Sequence, residues 1–198
     1  MKKIENITIQ DFVSFHSYEN GKKYKVITDE QGNETAIEVR GRLTTFNIVN
    51  TNGYLFKPES YDKFVDDYFI ANSLNVPACL YHRGDDVQYN CGKVVEMNKT
   101  AEGVDVVVRV PKFAYFYNWI KNAIDDGILQ GFSNYGGAEK CWYDEEQDAL
   151  VIERFQLLHC ALVDIPADVT GKFKQVENTK FAGFHEEKKE LSEIYDIV

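Results

Sequence analysis

No apolar run in this sequence approaches the ~18 residues that a membrane-spanning helix needs. Basic charge is also short: 22 Lys and Arg stand against 32 Asp and Glu, a formal net charge of −10. A chain of that sign repels phosphate backbones and anionic lipid, so neither nucleic acid nor a membrane is expected as a partner. Met1-Lys2-Lys3 has the charge of a signal-peptide start, but Glu5 and Asn6 follow where an apolar stretch would begin. The expectation is a soluble protein of the cytosol. None of the four cysteines, Cys79, Cys91, Cys141 and Cys160, forms a C-x-x-C pair. Their spacing suggests neither a zinc site nor a disulfide framework, and they read as small buried hydrophobes. The four histidines include no H-x-x-x-H pair. There is no phosphate-binding glycine loop and no G-x-S-x-G. Neither a metal nor a cofactor is expected.

What is present is a globular composition: 198 residues, 44% hydrophobic and 14% aromatic, with 13 Gly and 4 Pro. That suits one domain, or a domain with a tail. Most of the chain reads as strands. Ile7 to Tyr18 and Tyr24 to Thr28 are β-prone and separated by Glu19-Asn20-Gly21-Lys22, a turn signal. Ala36 to Ile48, Val76 to Tyr81, Gly92 to Met97, Val104 to Val110, Leu129 to Tyr135 and Leu150 to Val163 follow. In the Val104–Val110 run, Val104, Val106, Val108 and Val110 share one face. Pro58 opens a short helix, and Phe113 to Ile128 is the clearest helix, with Phe116, Trp119, Ile120, Ala123 and Ile124 at helical spacing. The expected class is α+β, a β-barrel or sheet core flanked by helices. His185 to Val198 is charge-rich, either a short exposed helix or a flexible end.

Three polar residues stand out. His82 ends an apolar strand and opens a polar, glycine-containing loop, where a general base is both held and exposed. Ser133 sits in Gly131-Phe132-Ser133-Asn134-Tyr135-Gly136-Gly137, whose glycines leave room for a substrate backbone near a nucleophile. His159 lies in Leu157-Leu158-His159-Cys160-Ala161-Leu162-Val163; regular alternation puts it on one face with Phe155, Leu157, Ala161 and Val163. Each has an ordinary alternative: a surface histidine, a strand serine, a satisfied core histidine.

Taken together, in the chain order His, Ser, His, these segments resemble the prohead maturation proteases of tailed bacteriophages. That family shares its fold with the capsid-maturation proteases (assemblins) of herpesviruses. The resemblance runs from about Arg40 to Asp168. Gly41-Arg42-Leu43 with Gly53 resembles the family's opening strand and turn, and Phe56-Lys57-Pro58-Glu59-Ser60-Tyr61 its first helix start. Val76-Pro77-Ala78-Cys79-Leu80-Tyr81-His82 resembles the strand that delivers the catalytic histidine, followed by Gly92-Lys93-Val94. Ile128-Leu129-Gln130-Gly131-Phe132-Ser133 resembles the segment with the nucleophile. Leu157 to Val163 with Asp164-Ile165-Pro166-Ala167-Asp168 resembles the segment with the third member.

The resemblance implies a herpesvirus-protease-like fold and a serine endopeptidase with Ser133 as nucleophile, His82 as general base and His159 as its orienting partner. Phage members commonly have Glu where this chain has His159, whereas assemblins use a second histidine. It also implies a protease domain over residues 1–171, a charged tail over 172–198 that is flexible or self-cleaved, and a cut between Lys172 and Phe184. Capsid scaffold or major capsid protein precursor would be the substrate, inside the assembling prohead in the host cytoplasm. A homodimer stays open, since assemblins act as dimers. Two other readings remain: an inactive scaffold or assembly protein of the same fold, and a cysteine hydrolase using Cys141 or Cys160. For the oxyanion hole the sequence offers two segments, one near Gly136-Gly137 and one following Asp164.

Overall fold

Alternating apolar residues build a mixed sheet that curls around one core. The computed structural model describes residues 3–4, 7–18, 21–70 and 75–164. The strands, in chain order, are β1 (Lys3–Ile4), β2 (Ile7–Ser14), β3 (Tyr24–Thr28), β4 (Glu34–Thr45), β5 (Tyr54–Phe56), β6 (Pro77–Leu80), β7 (Asn90–Lys99), β8 (Gly103–Pro111), β9 (Gly131–Asp144) and β10 (Ala149–Val163). They join in one 10-stranded sheet of order β1-β9-β10-β6-β7-β8-β4-β3, with β2 also paired to β9 and β5 to β10. Most neighbours are antiparallel; β5 and β6 run parallel to β10. A bridge between Phe15 and Gly41 brings the end of β2 to β4, so the sheet bends toward itself.

The expected valine face of β8 is observed: Val104, Val106, Val108 and Val110 are all buried. They pack with Leu43 of β4, Phe56, Tyr61, Phe132 and Phe155. The Phe56 and Phe155 rings meet edge to face at 5.4 Å.

The helices are fewer and shorter than the sequence suggests. The segment opened by Pro58 is a 3₁₀ turn, Pro58–Tyr61, followed by a π-helical stretch, Phe64–Ile70. The single α-helix among the described residues, α1, spans Tyr117–Asp125 rather than Phe113 to Ile128. Its buried stripe is Tyr117, Ile120, Ala123 and Ile124, while Trp119 is exposed. The residues before it are tied into turns, with the Ala114 N–H on the Pro111 carbonyl and the Tyr117 N–H on the Ala114 carbonyl. At its end Gly127 takes φ +71°. The Gly127 N–H donates to the Ile124 carbonyl and the Ile128 N–H to the Ala123 carbonyl, at 3.2 and 2.7 Å. This is a Schellman motif, and it needs a residue without a Cβ penalty in the left-handed region. It turns the chain straight into β9.

β9 runs on to Asp144, through Gly136 and Gly137, where the sequence suggests a stop. The charged tail and the Pro166-Ala167-Asp168 segment lie outside the described residues. No helix among the described residues is long and apolar enough to cross a membrane.

Candidate active site

The site forms where β6, β9 and β10 lie side by side. β10 is the middle strand: Ala161 pairs with Ser133 on β9 and with Cys79 on β6.

β6 ends at Leu80 and leads into a tight turn. The Arg83 N–H donates to the Leu80 carbonyl at 2.9 Å, and the two central residues, Tyr81 and His82, have φ of 51° and 60°. Two successive left-handed residues make a type I′ turn, normally the province of Gly, Asn and Asp. For Tyr and His the conformation costs on the order of 1 kcal/mol or more each. Surrounding contacts hold it: the Tyr81 N–H donates to the Leu162 carbonyl at 3.2 Å, the Asn90 amide donates to the Gly84 carbonyl at 3.3 Å, and the Arg83 guanidinium lies 3.8 Å from the centre of the Tyr89 ring. The turn aims His82 back over the sheet.

Ser133 is the third residue of β9 and fully buried. Its Oγ lies 2.5 Å from His82 Nε2 and 3.3 Å from the Asn134 carbonyl. A hydroxyl has one proton to give, and the nearer nitrogen is the better acceptor. Behind the strand, the next side chain points the other way into the core. There the Asn134 amide donates to Thr44 Oγ1 at 2.7 Å and to the Tyr61 hydroxyl at 3.1 Å.

His159 reaches the site through an irregularity that alternation does not reveal. Leu157 pairs with Gly136 and His159 with the very next residue, Tyr135, so β10 carries one extra residue there. That residue, Leu158, is 53% exposed. The bulge reverses the facing of everything after it. Phe155, Leu157, Cys160 and Leu162 line the main core, whereas Ala161 and Val163 pack with Cys79 on the other side. His159 therefore does not share a face with Phe155 and Leu157, as regular spacing would have it. It turns toward His82, and its Nε2 lies 3.0 Å from His82 Nδ1.

The hydrogen bonds run Ser133 Oγ, His82 Nε2, His82 Nδ1, His159 Nε2. If His82 Nε2 accepts the serine proton, its Nδ1 carries hydrogen and donates to His159 Nε2. Burial, and then the neighbouring His159, push His82 from the ordinary value of 6.5 down to about 4. Burial lowers His159 as well. Both rings are thus neutral at neutral pH. Beside them opens a cleft of about 430 Å³ lined by Pro77, His82, Gly84, Asp85, Asn90, Tyr135 and His159.

The overall arrangement is similar to the solved structure of the capsid assembly protease gp21 of bacteriophage T4. The TM-score is 0.60 at 14% identity, and the match covers 80% of this chain and 99% of that one. The fold is that of a phage capsid assembly protease. No family model matches the chain, and no curated protein does.

Among the described residues, Cys79 lies under the same turn, its sulfur facing the His82 and Gly84 backbone N–H groups. His16 is exposed after β2, and His185 lies outside the described residues. All four cysteines are buried, as expected. Burial raises the Cys160 thiol well above its ordinary value, the reverse of what activates a thiol nucleophile. Gly136 and Gly137 lie on a strand paired on both sides, with β2 and with β10. The other oxyanion-hole segment, following Asp164, is outside the described residues. Sequence reasoning passed over Tyr135, though it stands two residues from Ser133 and so on the same strand face.

Proposed function

We propose that this chain is a prohead maturation protease, a serine endopeptidase with Ser133 as nucleophile, His82 as general base and acid, and His159 as the residue that orients His82. The observation that carries the reading is the unbroken hydrogen-bond chain from Ser133 Oγ through His82 to His159, at 2.5 and 3.0 Å, on a capsid-protease fold. The His, Ser, His order also supports the herpesvirus kinship.

In this mechanism Ser133 attacks the substrate carbonyl while His82 Nε2 takes its proton. The tetrahedral intermediate collapses as His82 passes that proton to the leaving amine, and water repeats the sequence on the acyl-enzyme. His159 fixes the His82 tautomer but brings no negative charge to the imidazolium. Slow turnover follows, which suits an enzyme confined with its substrates. Capsid scaffold and capsid precursor are the proposed substrates, with self-cleavage between Lys172 and Phe184. A charge of −10 suits a protein that acts before DNA enters the shell.

The pH–rate profile tests the base. His82 is depressed to about 4, so it stays neutral far below the usual histidine range. Activity should hold from pH 7 toward 5 and fall as pH drops through about 4. An acid limb centred at 6.5 or higher would mean that the base is not this buried histidine. The same depression acts on stability. Below 6.5 the unfolded chain binds a proton that folded His82 refuses, so stability is lost as pH falls from 6.5 toward 4. His82→Leu should flatten that part of the stability curve, as read by denaturant midpoints.

His159 is tested by two substitutions. His159→Ala should lower kcat by about 10²-fold. His159→Glu supplies the missing charge, so it should raise the His82 pKa and move the acid limb upward. If His159→Ala cleaves as fast as the wild type, the histidine is no part of the machinery.

One observation favours a second reading, an inactive assembly protein of the same fold: Ser133 has no exposed surface. A fluorophosphonate separates the two. Labelling that disappears in Ser133→Ala supports the enzyme; a folded wild type that never labels supports the assembly protein.

A further inference from the structure

Tyr135 lies flat against His159. The ring centroids are 4.6 Å apart and the planes differ by 9°. The two residues are direct cross-strand partners, placed opposite each other by the Leu158 bulge. Tyr135 is also 5.9 Å from the His82 ring, and His82 and His159 are 5.2 Å apart. The three rings form one cluster on the wall of the cleft.

We infer that Tyr135 is a positioning residue that fixes the His159 ring and stabilises positive charge on the His82–His159 pair. This rests on the protease reading proposed above. When Ser133 gives up its proton, His82 becomes an imidazolium in a largely desolvated site. A neutral His159 offsets none of that charge by itself. The hydrogen bond between the rings lets His159 share the proton, and the charge then faces the electron-rich side of Tyr135. The aromatic face supplies part of what a carboxylate supplies in a Ser-His-Asp site. The stack also holds the plane of His159, which keeps its Nε2 aimed at His82 Nδ1.

Two variants separate the aromatic face from mere bulk. Tyr135→Phe keeps the face and should cleave within about threefold of the wild type. Tyr135→Leu keeps comparable bulk without the face, and its kcat should fall about tenfold with KM little changed. Removing a contact that favours the cation lowers the pKa of the pair, so the acid limb should move to lower pH in Tyr135→Leu only. Asp85 is the carboxylate that lines the same cleft, and the Phe-to-Leu difference should persist in an Asp85→Asn background. NMR titration of the two histidine rings reads the same shift without any cleavage. A protein that fails to cleave but shows the Leu-specific shift ends the protease reading and upholds the ring contact. Unchanged titration in Tyr135→Leu overturns the inference. So does a Phe variant as impaired as the Leu variant, or a loss that lies wholly in KM.

Discussion

Ser133→Ala should abolish cleavage of the proposed substrate, capsid precursor, while leaving the fold intact. The serine Oγ sits 2.5 Å from His82 Nε2, the place the proposed mechanism gives to the nucleophile. In the proposed triad, losing the nucleophile should cost about 10³-fold or more in rate. The structural penalty is far smaller. Alanine fits a fully buried strand position, and the missing hydroxyl leaves one ring nitrogen without its partner, worth about 1 to 2 kcal/mol. The measurement pairs a gel assay on precursor protein with a thermal melt of the variant. Cleavage that survives in a well-folded Ser133→Ala protein would end the assignment of Ser133. Loss of cleavage together with loss of folding would leave the role to the wild type alone, where peptide mapping must find the fluorophosphonate on Ser133.

The strands of this protein were largely legible in its sequence because half-buried strands alternate. β3 matches its expected span, and β8 and β10 differ by a residue at their ends. The misses have identifiable causes. The helix before β9 is shorter than its sequence suggests because Phe113 and Tyr115, which continue an aromatic run into Phe116, are strongly exposed and lie in turns. Tyr54–Phe56 is only three residues long, too short for alternation to show. For the candidate site, the residues that matter were nameable one by one, but local sequence gave no reason to join them. His82 and Ser133 meet across a separation of 51 residues, and His82 and His159 across 77; only family resemblance put them in one group. The facing of His159 departs from simple alternation, which holds only for a regular strand. A bulge changes the parity of the count without leaving a mark in the composition. The left-handed turn at Tyr81 and His82 was equally hidden, since neither residue type announces positive φ. In both places the local rule fails beside the proposed chemistry, where strain and irregular backbone are commonly concentrated.

Gly136→Ala should destabilise the protein severely, while Gly137→Ala, one residue away, should not. A Cβ on Gly136 would sit 2.0 Å from the Gln156 carbonyl oxygen and 2.7 Å from the Phe155 ring. The first obstacle is backbone, held in the β9–β10 ladder, so it has no rotamer by which to escape. To relieve the clash the two strands must part just where the bulge begins. The expected loss is about 3 kcal/mol or more, or roughly 6 to 12 °C in melting temperature for a chain of this size. A Cβ on Gly137 meets nothing within 4 Å. There alanine should be neutral or add a few tenths of a kcal/mol, by narrowing the unfolded ensemble. Activity should follow the same division. Parting the strands at Gly136 moves Tyr135 and His159, which are paired one step further along, and separates His159 from His82. Thermal melts of the two variants, run beside a cleavage assay, read both effects. Equal melting temperatures would show that β10 yields at Gln156, and that the close approach of the two strands is not what holds His159 in place.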